Sequence, residues 1–202
     1  MQPIRQASTA VITAFLVAFA AAPVTPAMAQ DWERALPLQG DPAAQAAEHD
    51  ALFAALAAAP DPQAAQVIAF NIWSLWFRAP TEEARQLMDD AMERRRAYDF
   101  AGSIAILDKL VALTPDWAEA WNQRATLRFL AEDFDGSLED IDRVLALEPK
   151  HFGALSGQAL ILLRFGRIEA AQSVLRRAVA INPFLAERAL LVETPEPNGK
   201  DI

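Results

Sequence analysis

Residues 118–151 of the chain read AEAWNQRATLRFLAEDFDGSLEDIDRVLALEPKH, and the pattern of this stretch recurs in the 34 residues on either side. Three prolines mark the period, because Pro149 lies midway between Pro115 and Pro183 at that same spacing. Further positions that keep the spacing are Phe100, Phe134 and Ile168; Ser103, Ser137 and Ala171; Ala91, Ala125 and Ala159; and Leu113, Leu147 and Ile181. A 34-residue period with two helix-length apolar patterns per unit predicts stacked helical hairpins.

The middle unit shows why these residue types recur. Small side chains at Ala125 and Ser137 would let the two helices of the unit approach closely. Trp121 and Phe134 would fill the space beside them. Pro149 ends the second helix, because proline lacks an amide hydrogen and disfavours helix in the residue before it. We therefore expect an all-α fold built from two-helix units.

This pattern resembles the tetratricopeptide repeat. The three consecutive units that carry the resemblance are residues 84–117, 118–151 and 152–185. The resemblance implies an α-solenoid of antiparallel helical hairpins. The sequence departs from the family at the seventh position of the repeat, which is usually leucine. The residues found there are Asp90, Arg124 and Gln158.

Two further helices are predicted before the repeats. Asp41-Pro42 and Asp61-Pro62 each combine a helix N-cap residue with proline at the first helical position. The helices predicted from these starts span residues 42–58 and 62–78. We expect them to form a hairpin within residues 30–80 that caps the N-terminal end of the repeat stack. The second helix is apolar on nearly all sides at its end, so it should be buried.

The resemblance also implies where a partner would bind. Tetratricopeptide repeats usually hold ligands in a concave groove lined by the first helix of each unit, at its second, fifth, ninth and twelfth positions. Those positions are occupied here by Arg85, Met88, Met92 and Arg95; by Glu119, Asn122, Thr126 and Phe129; and by Gly153, Ser156, Leu160 and Leu163. Steps of three and four residues place each set on one helical face.

Methionine and aliphatic side chains in this groove favour a protein or peptide partner with apolar anchors, in an extended or helical conformation. The alternative is that the apolar groove positions are covered by the chain's own N-terminal hairpin or closing helix. The positions concerned are Met88, Met92, Leu160 and Leu163. Binding on the convex face and self-association through an end repeat are also open.

The repeat domain is predicted to extend over residues 81–193. A short closing helix over residues 184–192 should cover the exposed end of the last unit. Residues 194–202 contain two prolines and a glycine and are expected to form a flexible tail.

Residues 1–29 are predicted to be a secretory signal peptide. Arg5 supplies the positive start, residues 7–22 form an apolar run, and Ala27-Met28-Ala29 offers a cleavage site of small residues. We expect cleavage just before Gln30, which would leave no membrane anchor and a mature protein in the bacterial periplasm or outside the cell. The alternative is an uncleaved anchor, but the apolar run is short for a span of about 20 residues.

The composition narrows the possible partners. The chain has 27 acidic and 18 basic residues, a net charge of −9 and no cysteine. An acidic chain without a basic stripe is a poor candidate for binding nucleic acid or an anionic membrane surface. Without cysteine there can be no lipid anchor on cysteine, no disulfide and no thiol chemistry.

Few residues are suited to catalysis or metal binding. The two histidines, His49 and His151, lie about a hundred residues apart, which does not fit a zinc site. We expect His151 to cap a helix or contact solvent. The acidic residues between Asp133 and Asp142 lack the register of a calcium loop and are expected on the charged outer face of a helix. There is no glycine-rich phosphate loop and no nucleophile elbow. We therefore expect no enzyme activity, no metal and no cofactor.

The leading interpretation is a non-catalytic periplasmic scaffold that binds a protein or peptide segment in its concave groove. Envelope assembly or the maturation of exported proteins would be its setting. The alternative is a small-ligand carrier or an accessory subunit of an enzyme, with Trp73 and Trp76 lining a pocket against the first repeat. Packing in the core is the simpler interpretation of these two tryptophans.

Overall fold

The computed structural model describes residues 36–192. The predicted signal peptide and the predicted tail lie outside the described residues. Within this range the fold is all-α. Its helices are α1 (Pro42–Ala57), α2 (Pro62–Trp76), α3 (Glu82–Arg96), α4 (Phe100–Leu113), α5 (Ala118–Leu130), α6 (Phe134–Leu147), α7 (Phe152–Arg164) and α8 (Ile168–Ile181), followed by the 3-10 helix Ala186–Leu190. No helix in the described range is long and apolar enough to cross a membrane.

Short polar side chains fix the starts of several helices. Asp41 and Asp61 each accept a hydrogen bond from the backbone N–H three residues further on, at 2.9 and 2.8 Å, directly before the proline that begins α1 or α2. Thr81, Asp99 and Asp133 cap α3, α4 and α6 in the same way. Each such cap stabilises its helix by about 1 kcal/mol. The helix starts predicted at Asp41 and Asp61 are confirmed.

Helices α3 to α8 form three antiparallel hairpins that stack in chain order. Ser103 Oγ donates a hydrogen bond to the Ala91 carbonyl at 2.7 Å, and Ser137 Oγ donates to the Ala125 carbonyl at 2.8 Å. The repeating small residues therefore let the paired helices approach until a serine hydroxyl reaches the facing backbone. The third hairpin has a buried Ala171 at this position.

The 3-10 helix closes the far end of the repeats by packing against α8. Gln172 of α8 donates a hydrogen bond to the Leu190 carbonyl at 2.9 Å, and its side-chain oxygen accepts one from the Val192 N–H at 2.8 Å. A single glutamine thus holds the segment that follows the last repeat. The sequence predicts a closing helix here, and the structure has a single short 3-10 helix.

The N-terminal hairpin, α1 and α2, lies elsewhere than the sequence analysis predicts. It was expected to cap the N-terminal end of the stack, but α1 packs against α8 of the third repeat, while Trp73 of α2 and the following Phe77 and Ala79 contact the cluster of the first repeat. Phe53 and Leu56 of α1 share an apolar cluster with Phe152, Ile181 and Phe184. The prediction was wrong because an apolar pattern shows that a helix is buried but not which surface buries it.

Candidate partner-binding face

The predicted groove residues lie on α3, α5 and α7, the first helices of the three hairpins, and we call this surface the concave face. Most of its side chains are covered within the folded chain. The buried ones are Met88, Met92, Glu119, Asn122, Thr126, Ser156 and Leu160. The half-buried ones are Arg85, Arg95, Phe129, Gly153 and Leu163. A partner of the folded protein could therefore reach only part of this face directly.

Both arginines of the concave face have partners inside the chain. Arg85 forms an ion pair with Glu82 on the same helix, and the hydrogen bond between them raises the pKa of the Arg85 guanidinium. Arg95 donates a hydrogen bond to Gln123 Oε1 at 3.1 Å, which ties the first repeat to the second. Arg95 therefore contributes to the packing between helices, and both arginines contribute to the charge of the face.

A buried carboxylate lies at the centre of the concave face. Glu119 is fully buried and accepts hydrogen bonds from the side-chain amides of Asn122 and Gln123. Its other oxygen lies 3.1 Å from His151 Nε2. Nδ1 of the same imidazole accepts a hydrogen bond from the Ala154 N–H, so the ring carries its proton on Nε2 and donates it to Glu119. Three side-chain donors therefore surround this buried carboxylate.

His151 thus caps α7, as the sequence predicts, but it is fully buried and makes no contact with solvent. Sequence reasoning did not find its pairing with Glu119, because the two residues lie 32 positions apart, at opposite ends of the second unit. A signal was available in hindsight: Glu119 is a carboxylate at a groove position, and His151 ends the same 34-residue unit.

The N-terminal hairpin packs directly on this part of the concave face. The indole of Trp76 stacks on the His151 ring, with centroids 4.0 Å apart and planes 11° from parallel. Trp73 meets Phe152 edge to face at 5.7 Å. A Cβ atom on Gly153 would lie 2.7 Å from the Trp73 ring, so glycine at this groove position leaves the space that Trp73 occupies.

Polar contacts surround the two indoles. Trp117 Nε1 donates a hydrogen bond to the Trp76 carbonyl at 2.8 Å. Glu148 Oε2 accepts one from His49 Nε2 at 2.9 Å and a longer one from Trp76 Nε1 at 3.4 Å. Both histidines of the chain therefore lie where the N-terminal hairpin meets the repeats, and each one contacts a glutamate.

Trp73 and Trp76 do not line an open pocket, in contrast to the alternative prediction of a small-ligand site. Trp73 and Trp76 pack against each other at 5.1 Å and against the rings of the third repeat. A nearby cleft of about 480 Å³ lies between α1 and α8. It is lined by Asp50, Phe53, Ala54, Ala57, Lys150, Ala180 and Ile181. The two tryptophans thus fill the space between the hairpin and the repeats instead of lining that cleft.

An ion cluster joins the first two repeats behind the concave face. Arg124 donates to both carboxylate oxygens of Asp140, at 2.9 and 2.6 Å, and to Asp108 at 2.8 Å. Arg128 lies 3.1 Å from the same Asp140. Burial lowers the pKa of the Arg124 guanidinium, but its hydrogen bonds with Asp140 and Asp108 outweigh that effect and raise the pKa overall.

Asp140 was expected on a charged outer face, and this expectation was wrong, because its carboxylate is 1% exposed. The signal for its pairing is Arg124 itself, which stands where the repeat usually has leucine. Within residues 36–192, no three histidine, aspartate or glutamate side chains come together in a way that could hold a metal ion.

A comparison with known proteins agrees with the helical-repeat fold. A TPR repeat-containing protein from Rhizobium etli is 35% identical to the chain over 140 residues, which is 66% of each sequence. The chain therefore spans about two thirds of the length of this relative. No protein-family profile matches the chain.

Proposed function

Because the chain belongs to the tetratricopeptide repeat family, we propose that it is a non-catalytic scaffold that binds a protein or peptide segment on its concave face. The observation that carries this proposal is the stacking of the three hairpins in chain order, with α3, α5 and α7 as the first helices of consecutive units. Repeat arrays of this kind bury apolar surface between units and present an extended face to a partner.

The half-buried apolar residues of the concave face are the proposed contacts. Phe129 and Leu163 occupy the twelfth position of the second and third units and are half-buried. Partly exposed apolar side chains of this kind can anchor a partner without first unfolding their own helix. Asn122 and Leu160 share the face, but they are 6% and 2% exposed, so substitutions there would test stability first.

A small-ligand carrier is the weaker candidate. It would need the hairpin tryptophans to line an accessible pocket. They are packed instead against His151 and Phe152.

For the compartment, we propose the bacterial periplasm or the cell exterior, with envelope assembly or the maturation of exported proteins as the setting. The sequence pattern of residues 1–29 supports export. Mass spectrometry of the protein from its own cells tests this, with a chain beginning at Gln30 as the expected result. A chain in the cytoplasm that retains residues 1–29 would contradict it.

Crosslinked affinity capture from native extract tests the scaffold. The test variant is Phe129→Ala with Leu163→Ala, and the matched control is Phe165→Ala with Ile168→Ala. The control also removes one aromatic and one aliphatic side chain, but at exposed positions off the concave face, where Phe165 and Ile168 are 57% and 44% exposed.

We expect the wild type and the control to capture the same partner, and the test variant to capture about tenfold less of it. Circular dichroism and thermal unfolding verify that all three proteins are folded. Equal capture by all three, or no partner enriched by the wild type, would refute the proposed function.

A further inference from the structure

We propose that the N-terminal hairpin is a displaceable occupant of the concave face, and that the partner is an apolar helix that presents indole side chains as α2 does. This inference rests on the proposed function, because it specifies the partner and the regulation of the same face.

The first argument is the match between α2 and the third repeat. Gly153 leaves room for the edge of Trp73, and the flat ring of His151 supports Trp76. Both residues lie where the third repeat begins, and together they form a binding site, which we call the indole site, for two indoles three residues apart. A partner helix with the same spacing would find the same two contacts.

The second argument is that the hairpin shares only part of its packing with the repeats. Phe53, Leu56, Ala65, Ile72 and Trp76 of α1 and α2 belong to a cluster that includes the repeats only through Phe152 and the residues that end or follow α8. Trp73 also contacts the cluster of the first repeat, and Phe77 and Ala79, directly after α2, belong to it. Most of that cluster, around Leu107 and Leu110, and the cluster around Ile141 and Val144 lie within the repeats. Because a repeat array is held by contacts between neighbouring units, α3 to α8 can keep these clusters when the hairpin lifts away.

The third argument is the incomplete packing of the hairpin. A cleft of about 480 Å³ separates parts of α1 and α8. The hairpin therefore leaves part of its boundary with α8 unfilled, so fewer contacts are lost there when it lifts away, which reduces the free-energy cost of displacement.

A labelled peptide with the sequence of residues 62–78 tests whether the indole site accepts a helix in trans. The full chain with Trp73→Ala and Trp76→Ala has a weakened hairpin contact. The blocked control carries the same two changes together with Gly153→Leu. We expect the peptide to bind the double variant about tenfold more tightly than the wild type and to lose that binding in the blocked control. A peptide in which both tryptophans are replaced by alanine should bind neither the wild type, nor the double variant, nor the blocked control.

A reversible lock provides a test without removing the tryptophans. The chain has no cysteine, so Ala54→Cys and Ala180→Cys would introduce its only two thiols, both lining the cleft between α1 and α8. A bifunctional thiol reagent that forms reducible bonds would then fix the hairpin on the repeats. We expect the locked protein to lose partner capture and the same sample to recover it after reduction.

If a variant fails to fold, hydrogen exchange of the wild type tests whether the hairpin can leave the concave face. Displacement requires the amides of α1 and α2 to exchange through an opening of lower free energy than that of α5 to α7. Exchange of both regions only through global unfolding would overturn the inference, as would equal partner capture by locked and reduced protein. Equal capture by locked and reduced protein would leave the proposed scaffold function intact. If neither the locked nor the reduced protein captured any partner, the scaffold function itself would be refuted.

Discussion

The backbone of Tyr98 and Glu132 is in the left-handed region, with φ of 59° and 62°. Gly166 holds the same position in the third unit, with φ of 68°, so every repeat makes its turn with one left-handed residue. Only glycine adopts this conformation without steric cost, and other residues are disfavoured by roughly 1–2 kcal/mol. The first two repeats therefore carry local strain that the third avoids.

Tyr98 is the residue at which this strain can be relieved. It is 83% exposed, so little packing is lost when its side chain is removed. We expect Tyr98→Gly to raise the free energy of unfolding by about 0.5–1 kcal/mol, measured by denaturant titration. The matched change, Gly166→Ala, should lower it by about 1 kcal/mol. The prediction requires that the two substitutions change the free energy of unfolding in opposite directions. A loss of stability in Tyr98→Gly would show that the tyrosine ring has a packing role.

Glu187 in the 3-10 helix gives a prediction for pH dependence. The residue is 4% exposed, and burial raises the pKa of its carboxyl group above the ordinary value of 4.5. The folded state then binds the proton more tightly than the unfolded state, so this group makes stability fall as pH rises above 4.5 toward the folded pKa. Glu187→Gln should remove that decline and raise the melting temperature at pH 7, with little effect at pH 4. Thermal unfolding of both proteins across this range checks it, and parallel pH profiles would contradict it.

The single residues that could be predicted from sequence are those whose role is local. The caps at Asp41 and Asp61 and the cap formed by His151 depend on an amide three residues away, so the adjacent sequence is enough. The pairs Glu119–His151 and Arg124–Asp140 are 32 and 16 residues apart. The members of each pair lie in different elements. A charged residue at the repeat position of Glu119 or Arg124 signals that a partner exists, but it does not show which residue that partner is.

Among the elements, the contact between the two helices of each hairpin depends on one small residue. The hydroxyl of Ser137 bonds to the Ala125 carbonyl across that contact, and Ser137 is 1% exposed. Ser137→Ala keeps the small volume and loses this hydrogen bond, so we expect a loss of about 1 kcal/mol in denaturant unfolding. Ser137→Val also adds volume where the helices touch and should cost more, about 2–3 kcal/mol.

In the third hairpin, the opposite substitution can be tested, because alanine stands where the other hairpins have serine. Ala171 is fully buried at the position equivalent to Ser137. If the helix spacing is the same there, Ala171→Ser should be tolerated, with a change of less than about 1 kcal/mol. A loss as large as that of Ser137→Val would show that the third hairpin is packed more tightly than the other two.

The starts of α1 and α2 were predictable from sequence, because an aspartate cap followed by proline marks where each helix begins. Their ends were less clear. The second helix was predicted to reach residue 78, but α2 ends at Trp76. No glycine or proline follows directly to stop it, and the end is set by the contacts of Trp76 with His151 and Trp117. Such a limit depends on tertiary packing and leaves no local signal.

For the whole molecule, the stacking order of the repeats was predictable because each unit is contacted by its neighbours along the chain. The site of the N-terminal hairpin was not, because it lies outside the period. Its docking depends on a match between Trp73 and Gly153, which are 80 residues apart in sequence. The repeat register therefore predicts a binding face on α3, α5 and α7, whereas only the three-dimensional structure shows that the N-terminal hairpin covers part of it.

The Arg124 cluster makes the first two repeats depend on each other, and this dependence can be measured. Arg124 lies on α5, Asp140 on α6 and Asp108 on α4 of the preceding unit. Arg124→Leu would restore the usual leucine of the repeat but leave the Asp140 carboxylate buried with only Arg128 beside it. We expect a loss of about 3 kcal/mol in denaturant unfolding, because an uncompensated buried charge costs more than the new apolar contact contributes.

The double variant Arg124→Leu with Asp140→Leu separates the charge from the packing. It removes the buried carboxylate together with its partner, so it should recover most of the stability lost in Arg124→Leu. The remaining difference from the wild type then measures the link between repeats through Asp108. If that link couples the units, the double variant should also unfold less cooperatively, with a lower dependence on denaturant. A double variant as unstable as Arg124→Leu would instead show that the guanidinium contributes through its packing on the Trp121 ring, whose centroid lies 4.9 Å away.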